Sequence, residues 1–284
     1  MTRLDATSSR AVRERYVELP NGLSWKTLPF GLMHVSCLAV FLVGVSVPAI
    51  LLCVGLYALR MFALTAGYHR YFSHRSFKTS RGFQFLLALL GTTAMQKGPL
   101  WWAAHHRKHH RYTDREGDLH SPVTNGFWWS HIGWVISRRY DPTDWNAIQD
   151  FAAYPELRWL NKYHLVPGIT LAVGCFLLGG WQFLVWGFFV STVVLYHGVF
   201  SVNSLSHMWG SRRFPTGDES RNNFWIALWT GGEGWHNNHH HYMASVRQGF
   251  YWWEIDFSFY VLRMMSWVRL VWDLRLPPRQ LFAT

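Results

Sequence analysis

Residues 163–211 read YHLVPGITLAVGCFLLGGWQFLVWGFFVSTVVLYHGVFSVNSLSHMWGS, and none of them is Lys, Arg, Asp or Glu. Residues 27–59, TLPFGLMHVSCLAVFLVGVSVPAILLCVGLYAL, are equally free of charge. A hydrocarbon core of ~30 Å takes about 20 apolar residues in a helix. Each stretch therefore has length for two crossings, the first when extended to Gly67 with a turn near Val47-Pro48, the second with a turn near Gly179-Gly180. The expected fold is an all-α membrane protein with four transmembrane helices as two hairpins, at about 28–47, 49–67, 164–180 and 183–207. Buried helix pairs of a soluble protein are the alternative, and uncharged runs of this length argue against them.

Working outward, regions 1–27, 68–163 and 208–284 fall on one side, within a single integral-membrane domain covering 1–284. Every Lys and Arg lies there or at its border, Arg60 included, so the positive-inside rule makes that side cytoplasmic. Half of the residues are hydrophobic, only 15% are charged, and there are 18 tryptophans, which is unlike a soluble domain. The net charge of +11 suits anionic lipid headgroups, phosphorylated carriers or an acidic electron donor. No basic and aromatic nucleic-acid motif stands apart from the apolar segments, so no nucleic-acid partner is expected. The residues before Thr27 lack the apolar core of a signal peptide. Cys37, Cys53 and Cys175 all fall in expected spans and form no disulfide, iron–sulfur or c-type haem pattern. Gly82 to Gln96 is apolar but short for a span, so it is expected to lie in the interface or against the bundle. The pairs Trp101-Trp102, Trp128-Trp129 and Trp252-Trp253 read as interfacial belts.

Nine of the 16 histidines fall in four clusters: His69 and His74; His106, His109 and His110; His207; His236, His239 and His240. Positions i, i+3 and i+4 share a helix face, so each trio reads as a compact ligand set. His69 and His74, five apart, diverge on an ideal helix and need a helix end or a local distortion to converge. Nine imidazoles exceed the needs of one tetrahedral zinc, so a dinuclear centre is expected, while imidazole alone leaves Fe, Cu, Ni and Zn open. His34, His164 and His197 read as packed or hydrogen-bonded side chains. His105 and His241 widen their clusters and are read as residues behind the ligands or at the surface, and His120 and His131 as residues of the site's periphery or solvated loop residues.

The segments HRYFSH (69–74), HRKHH (106–110), NSLSH (203–207) and GEGWHNNHH (232–240) resemble the histidine boxes of membrane fatty acyl desaturases of the stearoyl-CoA desaturase type. The likeness runs from about Thr65 to Tyr242. It implies a cap carrying a centre of two iron ions held by the nine histidines, Asn203 contacting a metal-bound water, O2 as co-substrate, and a cis double bond made in a fatty acyl chain, delta-9-like. It also implies that Gln96 and Trp102 shape an acyl tunnel and that Arg138 and Arg139 meet the carrier's phosphates. The sequence departs from the pattern at Ala104-His105 and Val199, which leaves CoA, lipid or carrier protein open as the acyl carrier. The chain shows no flavin fingerprint or haem-binding pattern, so an external donor such as cytochrome b5 or ferredoxin is expected. Hydroxylation, acetylene formation or alkene-forming decarboxylation on the same scaffold are the related alternatives. A histidine-based metal transporter is the distant one, and it would call for acidic groups inside the spans.

Overall fold

Three glycines and three helix-starting residues set where the apolar helices begin and break. The structure, a computed structural model, describes residues 27–278; the expectations for residues 1–26 lie outside that range. Helix α1, Leu28–Val43, ends at Gly44, which takes a φ of 67° that a Cβ would disfavour. Ser46 then caps α2, Val47–Ser73, by accepting the Ala49 N–H at 3.3 Å, a contact of about 1 kcal/mol. Pro48 sits in the first turn, where its missing N–H is no loss. The turn thus lies at Gly44–Ser46, ahead of the expected Val47-Pro48, because proline starts this helix rather than interrupting it. Pro167 similarly opens α6, Val166–His207, which breaks at Gly179 and Gly180 as expected.

The two breaks meet at one end of the bundle. Ser46 Oγ donates to Gln182 Oε1 at 2.6 Å, Gln182 Nε2 donates to Val43 O at 3.0 Å, and Trp186 Nε1 donates to Gly44 O at 2.8 Å. Among the described residues, α2 and α6 are long and apolar enough to cross a membrane, and α1 is apolar but shorter. Their outer surfaces leave large apolar side chains such as Phe41, Leu51 and Leu178 exposed.

Arg60 is buried in the bundle. It lies inside α2, 1% exposed, donating to Leu56 O, Thr93 O, Thr192 Oγ1 and Ser191 Oγ, so a guanidinium within the bundle is held by neutral oxygens that join α2 to α6.

Helix α3, Arg81–Thr92, is capped by Ser80 and is 12 residues long, too short to cross. It packs on the end of α2, where Tyr68 lies against Gly91 and its hydroxyl meets Thr92 Oγ1 at 2.8 Å. Helices α4 (Pro99–Tyr112), α5 (Pro155–Lys162), α7 (Phe224–Trp229), α8 (His236–His241) and α9 (Phe257–Trp267) complete the cap, with short helical turns between residues 122 and 152. A two-residue pairing of β1 (Lys78–Thr79) with β2 (Val271–Trp272), antiparallel, ties the chain's last described stretch to the segment after α2. The shared core gathers Leu64 and Phe72 of α2, Leu87 of α3, Leu100 of α4, Leu157 of α5, Leu195 of α6 and Leu262 of α9. Truncating one such leucine to alanine costs about 2–5 kcal/mol, so this core fixes α2, α4 and α6 relative to one another. Those helices carry three of the four histidine clusters.

Candidate metal centre

At its far end α2 changes from α to π geometry over Ala63–Ser73. His74 N–H donates to His69 O at 3.2 Å, an i to i+5 bond that brings residues five apart into line, and the two rings lie 4.8 Å apart. The distortion expected from their spacing is this π segment. His207 ends α6, while His106, His109 and His110 come from α4 and His236, His239 and His240 from α8.

The nine imidazoles form two groups, but the groups do not follow the trios. His69, His74, His106, His110 and His239 make one; His109, His207, His236 and His240 make the other, and the candidate ligand atoms within each group lie within 4.8 Å of one another. Each trio is therefore split: α4 gives its i and i+4 imidazoles to the first group and i+3 to the second, and α8 does the reverse. The expectation of one ligand set per trio is corrected by the two helices lying on either side of both groups.

In the five-histidine group Nε2 atoms stand opposed: His74 to His106 at 2.9 Å, His106 to His110 at 2.9 Å, His110 to His239 at 3.0 Å and His239 to His69 at 3.1 Å. A ring nitrogen has one in-plane position, holding either a proton or a lone pair. His106, His110 and His239 each use theirs toward two neighbours, so a hydrogen-bond chain cannot satisfy the group, whereas a cation at the common focus can. In the four-histidine group His109 Nε2 and His240 Nε2 are buried without a protein partner, while their Nδ1 atoms are held elsewhere. The donor set fits metal ions.

Burial, then repulsion between neighbouring imidazoles, holds His74, His106, His110, His236 and His239 well below the ordinary histidine pKa, and His240 is pushed down to about 4. Neutral imidazoles are the form that binds metal.

Four carboxylates with no assigned role in the sequence reading orient these rings. His109 Nδ1 donates to Asp118 at 2.9 Å, His207 Nδ1 to Asp114 at 2.9 Å and His240 Nδ1 to Asp218 at 2.9 Å; His69 Nδ1 meets Glu233. Such contacts fix the tautomer with Nε2 free for metal and raise its basicity. They are unequally shared: three serve the four-histidine group and one the five-histidine group. Glu233 is in turn held by Arg70, which also pairs with Asp256, so that despite burial His69 and Arg70 bring its carboxyl down to about 2. The available signal was local: Asp114 and Asp118 follow the second cluster within eight residues, and Glu233 stands three before His236.

Two adjacent apolar cavities with shared walls lie beside the imidazoles, the second bordering both groups. Phe30, Met33, Met95, Tyr196 and Phe200 line the first, with Lys97, Arg138, Asp141 and His164 also on its wall. The second reaches Met61, Leu64 and Val202, and the two share Trp102, His106, Val199 and Asn203. Gln96 lines the first with its Nε2 buried and without a protein partner, and Trp102 stacks on His106 at 5.0 Å. Asn203 lies on the wall of both. Arg138 reaches the first cavity; Arg139 stands outside it over the Tyr140 ring.

The histidines outside the two groups vary. His105 is buried, donating to Trp101 O, and lines the cavity; His241 stacks on Phe214. His120 is buried against His109, and burial pushes it down to about 3. His131 is buried and meets Ser204 and His197, which in turn meets His34, so the last two are hydrogen-bonded as expected. Of the tryptophan pairs, Trp101 is not interfacial: it is 5% exposed and donates to Tyr140 O, whereas Trp128 and Trp252 are exposed.

Residues 46–269 match the family described as fatty acid desaturase. The chain belongs to that family. This desaturase is 36% identical over 266 residues to the chloroplastic palmitoyl-monogalactosyldiacylglycerol delta-7 desaturase of Arabidopsis thaliana, covering 89% of this chain and 70% of that one. It is 40% identical to an sn-2 palmitoyl-lipid 9-desaturase of Nostoc sp. (strain 36), over 70% of this chain and 72% of the relative. It is also 38% identical to an acyl-CoA C20 Delta5-desaturase of Anemone leveillei, over 79% and 73%. The desaturase is thus an oxidoreductase acting on fatty acyl groups, and its apolar helices accord with membrane association.

Proposed function

We propose that this desaturase uses two iron ions and O2 to introduce a cis double bond near the middle of a membrane-delivered acyl chain, delta-9-like. One observation carries this: nine imidazoles converge in two groups beside apolar cavities. His69, His74, His106, His110 and His239 would hold one iron, and His109, His207, His236 and His240 the other, with Asn203 contacting it through water. Bound iron would supply the reduction of O2, with two electrons, two protons and two substrate hydrogens yielding two waters. Asn203, on the cavity wall beside His109 and His236, accounts for the open side of the four-ligand group.

The chain's own residues bind and orient. Trp102 and Val199, common to both cavities, would bracket the acyl carbons brought to the imidazoles, and Gln96 would turn its buried amide toward the bend. Lys97 and Arg138 put positive charge where the acyl carrier would sit, beside Asp141, which Lys97 meets at 2.6 Å. The relatives named above act on lipid-linked and CoA-linked chains, so both carriers are candidates here. We place α1, the first part of α2 and the two halves of α6 across the bilayer as two hairpins, with the metal centre at the cytoplasmic face. The clustering of the breaks at one end, opposite the histidines, supports this. Electrons would come from an external donor such as cytochrome b5 or ferredoxin, whose acidic surface would suit a chain of net charge +11.

The test is reconstitution with iron and a reduced donor, followed by mass spectrometry of products from deuterated acyl-lipid and acyl-CoA. Loss of two adjacent hydrogens is expected. Exclusively hydroxylated, acetylenic or alkene products would overturn it, and so would exchangeable zinc with no oxygen consumption.

A further inference from the structure

Helix α9 packs on α2 by one face only. Its Ser258 Oγ meets Thr65 Oγ1 at 2.7 Å, Ser258 N–H donates to Gly231 O at 2.9 Å, and Leu262 is fully buried. The opposite face presents Phe257, Tyr260, Met264, Trp267 and Val268, spaced as one stripe of a helix and 38–71% exposed. A few residues before Gly231, α7 does the same. Tyr57 of α2 donates to Trp229 O at 2.7 Å, and Phe224, Trp225, Leu228 and Trp229 are exposed.

Tyr57 and Thr65 are eight residues apart on α2, about 12 Å of helix rise. The two short helices therefore flank α2 at successive heights. Before those heights α2 itself exposes Leu51 and Val54, so exposed apolar side chains of the long helix precede those of α7 and α9. His69 lies only four residues, about 6 Å, beyond Thr65.

We propose that α7 and α9 form a lipid-facing collar along α2, with α9 seated in the bilayer interface and α7 reaching from it toward the hydrocarbon, holding the metal centre at a set depth just outside the hydrocarbon. This rests on the membrane reading above. The surface the collar meets is lipid, for two reasons. The stripe follows the exposed apolar residues of α2, and it includes the tryptophan, tyrosine and phenylalanine that favour the boundary between hydrocarbon and headgroups. The exposed Arg263 and Arg269 beside the stripe suit anionic headgroups.

The full chain, with Cys37, Cys53 and Cys175 changed to serine, is spin-labelled at Met264→Cys or Trp267→Cys in nanodiscs of phosphatidylcholine and phosphatidylglycerol. Val54→Cys marks the expected lipid-facing span and Asn146→Cys an exposed loop. Collisions with oxygen and with a water-soluble nickel chelate are compared. The oxygen-to-nickel ratio at both α9 positions is expected to be several-fold above that at Asn146 and to approach that at Val54. A ratio equal to that at Asn146 overturns the collar, and shielding from both reagents overturns it in favour of a second copy or another protein on this face. If Val54 itself matches Asn146, the membrane reading fails and the collar with it. In the native-cysteine protein, Trp225→Phe and Trp267→Phe give an independent measurement: each should remove emission quenched by brominated phosphatidylcholine, and loss of unquenched emission alone overturns the proposal.

Discussion

Each of the four carboxylates touching an imidazole decides which nitrogen faces the centre. Asp118 also accepts the N–H groups of Asp114 and His120, so it is itself fixed before it orients His109. Asp118→Asn keeps the size and removes the charge; metal affinity is expected to fall roughly 10–100-fold, as for other outer partners of metal-binding histidines. Metal titration with elemental analysis checks this, and full iron content at the wild-type affinity would show that Asp118 only caps a loop. Asp256 tests a different residue-scale effect. It pairs with the buried Arg70 and caps α9 through the Phe259 N–H, so Asp256→Ala leaves the guanidinium with Glu233 as its remaining carboxylate and removes the cap; it is expected to cost about 2–4 kcal/mol, read from denaturant unfolding. The imidazoles were legible in the sequence because histidine is scarce and here comes in runs. Asp114 and Asp118 were not: in Asp-Arg-Glu-Gly-Asp they look like ordinary turn residues, and only folding brings them to His207 and His109.

At the scale of elements, the π segment of α2 and the facing of α4 against α8 convert a linear pattern into two groups. Spacing alone showed that His69 and His74 needed a distortion, but not that each trio would be divided, since that depends on where the partner helix lies. The loop between α3 and α4 carries a further consequence. Met95, at a φ of 58°, lines the cavity and also packs with Met33, which joins it to the apolar core around Cys175 and Phe188. Its sulfur occupies the place a Cβ at Gly168 would take. Gly168→Ala should push Met95 into the cavity and shift products toward shorter acyl chains, and Met95→Ala should shift them toward longer ones. Chain-length profiles of the products by gas chromatography decide it, and an unchanged profile in both variants would show that this wall does not meet the substrate.

For the whole molecule, burying so many neutral imidazoles makes stability depend on pH. His74, His106, His110, His236 and His239 have folded pKa values well below the unfolded value of about 6.5. Above that pH neither state is protonated there. As pH falls through about 6.5 the unfolded chain gains protons that the folded chain cannot accommodate, so stability decreases. Metal-free protein should melt at a constant temperature near neutrality and at falling temperatures below about pH 6.5, and bound metal should be lost over the same range because protons compete for the ligands. Thermal scans at graded pH check both, and a melting temperature that stayed level down to about pH 5 would contradict neutral, buried imidazoles.

The sequence by itself determined the helical class, the uncharged helices and their Gly179-Gly180 break, the nine imidazoles and the family they belong to. These follow from residue type and local spacing, which act over one or two turns of chain. The tertiary structure alone decided the division of the trios into groups of five and four, the carboxylates behind them, the burial of Arg60 and Trp101, and the position of the first turn at Gly44–Ser46. The reason is physical: which nitrogen faces a common point, and which charge is held away from water, depends on helices brought together from distant parts of the chain by a shared apolar core.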